Sequence, residues 1–319
     1  MSRRSAVILV FLFLSLVNCH KNIRPDEEIS PVKPDQQIFV IVERVISGPV
    51  FNTDLVEPFG LAESRDGSIY VVDRGTNRII KFNSDFEPES QFGGFGQNTE
   101  TFNRPSFVTV DNDLNIYVTD ENNRRVARID ARLNFVDEIS FKDDEDPFKF
   151  GYPSGVGVTS YGEVWVADRE KNKLCLFNNI GKFDRFLGEF GSTEGQLQSP
   201  EKIVTTEDNR FYVCDAGHNR IVVYDQFGNF VQKLVLSEID YLIAAAVEKN
   251  DIWVLAGKLS TIHLINKGGK ELKEFGPVLP GDQTPMKEPS DLIILRNGRL
   301  LISDSGNHRL LLCKVDRGD

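Results

Sequence analysis

Three features of this 319-residue sequence predict an all-β fold, a six-bladed β-propeller of four-stranded antiparallel blades closed by an N-terminal strand. A short apolar run ending in Asp recurs along the chain at blade-like spacing. Each copy sits among three further strand-like segments, and helical periodicity is nowhere sustained. The last unit is one strand short, and a strand-like segment ahead of the first unit can supply it.

The Asp-terminated runs are IYVVD from Ile69, IYVTD from Ile116, VWVAD from Val164, FYVCD from Phe211, IWVLA from Ile252 and LLISD from Leu300. Their last residues are Asp73, Asp120, Asp168, Asp215, Ala256 and Asp304, separated by 47, 48, 47, 41 and 48 positions. Spacing of this size suits blades rather than a sandwich or a helical solenoid. Proline opens an earlier segment in five units, at Pro58, Pro105, Pro153, Pro200 and Pro289, with residues 241–247 standing in for the fifth. Proline is suited to a strand's first residue, where no ladder donor is needed. A base after each Asp begins a third run, and segments such as 183–190 and 230–236 form a fourth. The sixth unit stops after three strands, so residues 37–46 are expected to pair with it and remove the open edges.

Ahead of this array, residues 1–18 have the layout of an export signal, with Arg3 and Arg4 before a 12-residue apolar-rich stretch at 6–17. A spanning helix needs about 20 residues, so cleavage is favoured over a transmembrane anchor. The following Asn18-Cys19 resembles a bacterial lipobox, which makes Cys19 the lipidation candidate. Residues 19–37 carry Pro25, Pro31 and Pro34 among polar groups and read as a lipidated tether, leaving 38–319 as the propeller. The expected location is the bacterial cell envelope, with the lipid anchor as the sole membrane contact.

The chain has net charge −11, and removal of residues 1–18 takes away two arginines and no acid, giving −13. That excess opposes phosphate-backbone binding, so no nucleic-acid partner is expected. Cys175, Cys214 and Cys313 are an odd set without a CxxC pair and are expected as buried thiols.

The pattern Asp-x-Gly-x-Asn-Arg at Asp73 to Arg78 and Asp215 to Arg220, and the related Asp304-Ser305-Gly306-Asn307-His308-Arg309, resembles the NHL repeat. Blade two has Arg124 at the Asn position, blade three Lys173 at the Arg position, and blade five departs most, with Ala256, Ser260 and Thr261. The resemblance implies a six-bladed propeller that binds proteins or small ligands, and it admits a second reading, since related propellers include a zinc-dependent amidating lyase, lactonases and an antibiotic-opening lyase. The recurring Asp is read as a structural turn residue, because a catalytic carboxylate need occur only once.

No cofactor is expected, and no metal-ligand spacing is present: the histidines His20, His218, His263 and His308 form neither HxxxH nor a CxxC partnership. The acidic run Asp143, Asp144, Glu145, Asp146 lacks the glycine-punctuated spacing of a calcium loop. No nucleophile elbow or phosphate-cradling loop occurs. First strands of blades line a propeller's channel, and the loops leading into them gather at one face. Arg104, Tyr152, Glu201, Lys202, Tyr241 and Asp291 occupy those positions and are the candidates for recognition of a protein or small ligand by a monomer. The blander alternative is that they fill and hydrate the channel. A metal-dependent lyase or hydrolase would instead need Glu201, Asp291 and the histidines to converge on one ion.

Overall fold

The computed structural model describes residues 37–140 and 151–318. Cys19, the export signal, most of the tether and the acidic run at 143–146 lie outside them. The described residues form six four-stranded antiparallel sheets and one small hairpin. Blade one runs through Pro58–Glu63, Ile69–Asp73, Arg78–Phe82 and Pro88–Gly93, and blades two to five repeat this inner-to-outer order. The inner strands that follow are Pro105–Val110, Pro153–Val158, Pro200–Thr205, Leu242–Val247 and Asp291–Ile294. In the sixth blade the N-terminal strand Phe39–Ser47 pairs antiparallel with Arg309–Asp316 and supplies the outermost position, so the ring closes as expected. Pro289 lies two residues ahead of its strand rather than inside it.

Both faces of each blade are covered by its neighbours, which is why the second and third strands read as nearly unbroken apolar runs rather than alternating ones. The residues of Ile69–Asp73, Ile116–Asp120 and Phe211–Asp215 are all buried. Trp165 of blade three, for instance, stacks on Phe211 of blade four with ring centroids 3.6 Å apart. Inner strands approach so closely that two positions admit only glycine. A Cβ on Gly60 would fall 2.3 Å from the Ser106 carbonyl oxygen, and one on Gly155 would fall 2.2 Å from that of Glu201. Serines near the strand starts stitch blades together: the Ser154 hydroxyl donates to the Pro200 carbonyl at 2.6 Å, and that of Ser290 donates to the Phe59 carbonyl at 3.1 Å. The three cysteines of the propeller are free and buried, and burial pushes the Cys313 thiol up to about 12.

Candidate functional site

The turn after each second strand organises the face on which the lead-in loops gather. Asp73 accepts the Val56 backbone N–H, the Thr76 hydroxyl and the Arg78 guanidinium at 3.0 Å. Asp120, Asp215 and Asp304 each likewise accept a lead-in N–H, from Asn103, Gln198 and Lys287, and the guanidinium five residues on. Each of these guanidinium groups also holds at least one carbonyl of the loop arriving from the preceding blade, as Arg125 Nη2 does with Asn98 and Thr101. These aspartates are therefore turn hubs. In blade three Lys173 leaves Asp168 and sits 3.4 Å from the Phe186 ring centre, while Asp168 accepts backbone N–H groups instead. The fifth residue of each turn adopts a left-handed conformation (Asn77, Arg124, Asn172, Asn219, Ser260 and His308), and in several blades its side chain accepts an N–H from the next blade.

The residue directly after the turn Asp points to the channel mouth. Around the ring it is Arg74, Glu121, Arg169, Ala216, Gly257 and Ser305, large and charged on blades one to three and small on blades four to six. The large three lock together. Glu121 takes Arg74 at 3.2 Å, Arg104 at 2.9 Å and Arg169 at 3.4 Å, while Glu201 takes Arg169 at 3.1 Å and the Tyr241 hydroxyl at 3.2 Å. Burial presses the Arg74 guanidinium down to about 10, leaving it charged at neutral pH. Burial opposes charge on Arg169 too, but Glu201 and Glu121 outweigh it and hold that group above its ordinary value. The Glu201 carboxyl is raised by burial against the pull of Arg169, and the Tyr241 hydroxyl is raised to about 12 by burial and the Glu201 charge.

On the side where this residue is small, a hollow of about 840 Å³ opens between blades five, six and one. Phe59, Ile243 and Tyr241 contribute apolar and aromatic wall, Lys258, Lys287, Glu57 and Glu288 supply charge of both signs, and His308 adds a polar ring. A volume of this size and a lining that mixes apolar surface with a few polar groups are those of a small-molecule site. Deeper in the channel, Lys202 of blade four reaches Asp291 of blade six at 2.5 Å and the Leu292 carbonyl at 2.9 Å, and Asp291 also accepts the Leu61 N–H of blade one. Burial raises the Asp291 carboxyl, opposed by Lys202. Beyond this strut a second cavity of about 520 Å³ opens to the opposite face, with walls that include Val108, Val158 and Ile293.

The six sequence-derived candidates thus separate into three groups. Arg104, Glu201 and Tyr241 join the ionic network at the mouth, Lys202 and Asp291 form the strut, and Tyr152 stands apart, 39% exposed, with Arg124 5.9 Å from its ring centre. Arg74, Glu121, Arg169, Gly257 and Ser305 were not among them. Aligning the residue that follows each turn Asp would have revealed them. The histidines have separate local partners. His218 Nδ1 meets Asp215, His308 Nδ1 accepts the Glu57 N–H, and His263 lies between Thr261 and Glu271. Among the described residues, the one trio of candidate ligand atoms within 4.8 Å of each other is that of His263, Glu271 and Glu274, away from Glu201 and Asp291.

This architecture is a six-bladed β-propeller, and two of its blades match a known repeat. Residues 102–129 and 197–224 match the NHL repeat, the first from the lead-in loop to the third strand of blade two and the second over the same span of blade four. The chain is 27% identical over 131 residues to the protein brain tumor of Drosophila melanogaster, covering 40% of this chain and 13% of that protein. It is 25% identical over 288 residues to the E3 ubiquitin-protein ligase NHLRC1 of Rattus norvegicus, covering 83% of this chain and 69% of the relative. A solved streptogramin B lyase superposes with TM-score 0.64 at 12% identity over 86% of this chain and 98% of that one, a likeness of fold.

Proposed function

We propose that this NHL-repeat propeller is a non-catalytic binding scaffold, held at a bacterial envelope membrane through lipidated Cys19 and the tether at 19–37, that receives a small ligand or a protein segment in the hollow between blades five, six and one. The observation that carries the reading is the step in side-chain size around the channel mouth. Arg74, Glu121 and Arg169 fill one half and are tied together by ion pairs through Glu121, whereas Gly257 and Ser305 leave the other half open. Blade five's loss of the turn Asp and Arg belongs to the same feature, since Ala256 and Thr261 build no hub there. The hollow's charges sit at the end of flexible side chains over a fixed aromatic and aliphatic wall, an arrangement that orients a ligand without needing to react with it.

Gly257→Leu tests this. A Cβ there meets nothing closer than 3.5 Å, and the glycine does not have a left-handed backbone, so the substitution adds bulk to the hollow without straining the turn. Small molecules that raise the melting temperature of the unaltered chain in a screen are expected to bind Gly257→Leu at least about tenfold more weakly, a loss of about 1.4 kcal/mol, with the variant's own melting temperature unchanged. Equal binding to both proteins would remove the hollow as the site. Chemical turnover of a bound molecule would overturn the non-catalytic half of the proposal.

A further inference from the structure

Blade five departs from the other blades in a second place, on its outer half. Two residues beyond the turn base, the third strand carries Ile80, Ala127, Cys175, Val222 and Leu311 in the other five blades, all buried, and His263 in blade five. The base itself is Thr261 where the others have Arg or Lys. On the outer strand, the position held by Pro88, Phe135, Phe183 and Phe230 becomes Glu271. These three changes meet. His263 Nδ1 lies 2.6 Å from Glu271 Oε1, its Nε2 lies 2.9 Å from Thr261 Oγ1, and Glu274 is the cross-strand partner of His263. A register shift between Leu264 and Ile265 brings Glu271 and Glu274 to the same side as the imidazole.

From this we infer that His263, Glu271 and Glu274 form a binding site for a divalent transition-metal ion of the zinc class on the outer edge of blade five. The three ligand atoms, one imidazole nitrogen and two carboxylate oxygens, lie within 4.8 Å of one another, close enough for modest side-chain movement to bring them onto one ion. Thr261 Oγ1 lies 2.9 Å from Nε2, and when the ion is bound it accepts Nε2–H, the outer contact that fixes a ligating histidine's tautomer and turns Nδ1 to the metal. The ion takes the place between Nδ1 and Glu271 Oε1, and a proton held there passes to solvent. Glu274 is exposed and Glu271 about one-third exposed, so the ion has a path in and water completes its shell. The imidazole favours zinc over calcium, whose shells are built from oxygen. Histidine at a position otherwise apolar, with threonine and glutamate arriving beside it, is not what packing alone would select.

The test is equilibrium dialysis of the chelator-stripped full chain against zinc chloride, with calcium chloride as competitor. One equivalent of zinc is expected at micromolar or lower free concentration, undisturbed by millimolar calcium. Glu274→Gln, at an exposed position that leaves the core intact, is expected to weaken uptake at least about tenfold, and Thr261→Val by about 10–100-fold. In the same samples the imidazole resonances of His263 shift on zinc addition while those of His218 and His308 stay. Absence of saturable uptake, uptake indifferent to both substitutions, or a shift confined to the other histidines would overturn the site.

Discussion

Lys202 and Asp291 show how far one residue's chemistry can be pushed by its place in a ring. They are 89 positions apart and on different blades, yet each is the other's charged partner, and both are buried. Asp291 also accepts its own strand's Leu292 N–H and the Leu61 N–H of blade one, so one carboxylate ties blades four, six and one. Breaking a buried pair on one side strands the other charge, which costs about 3–5 kcal/mol, whereas removing both charges is far milder. Lys202→Met and Asp291→Asn are therefore each expected to lose about that much in urea denaturation, and the double variant is expected to recover most of it. Additive losses, or single losses below about 1 kcal/mol, would mean that the pair does not brace the channel. Both residues were visible in the sequence as polar positions near the starts of inner strands. Their pairing was not, because it depends on how the six blades are placed around the ring.

At the scale of the turn, the hub explains why the Asp and the base recur together. In blade four, Asp215 satisfies the Gln198 N–H, His218 and the buried Arg220, whose remaining donors hold carbonyls of the loop from blade three. Asp215→Ala leaves a buried guanidinium without its carboxylate and is expected to cost about 3–5 kcal/mol. Asp168→Ala strands backbone N–H groups but, among the described residues, no cation, since Lys173 lies over Phe186, and is expected to cost about 1–3 kcal/mol. Equal losses in a denaturant titration would show that the backbone contacts, not the guanidinium, dominate the hub. This motif was legible because all its parts lie within six residues. The residue after the Asp was harder to interpret because it varies from blade to blade. The acidic neighbours of His263 were hidden for another reason: Glu271 and Glu274 reach it only through a shifted strand register, which residue spacing does not announce.

The whole ring was legible from its period and from the strand-like segment ahead of the first unit, which pairs with the last blade. Its closure is also the point at which the molecule is most exposed to failure. The N-terminal strand pairs over eight positions with Arg309–Asp316, from Phe39 opposite Asp316 to Ser47 opposite Arg309, with one irregularity between Val42 and Arg44. Ile38, Val40 and Val42 enter the core that blades five and six share, and Ile46 enters the one between blades six and one. Burying an aliphatic side chain of this size contributes about 1.5–3 kcal/mol, so the four together are comparable to the entire ~5–15 kcal/mol by which a domain is stable. Deleting residues 37–46 also leaves the backbone groups of Arg309–Asp316 as a bare edge, the usual template for pairing between chains. The deletion variant of the full chain is expected to lose its cooperative melting transition and to aggregate as it unfolds. A variant that stays monomeric and melts at the unaltered temperature would mean that five complete blades and a three-stranded sixth suffice, and that the N-terminal strand covers the ring rather than closing it.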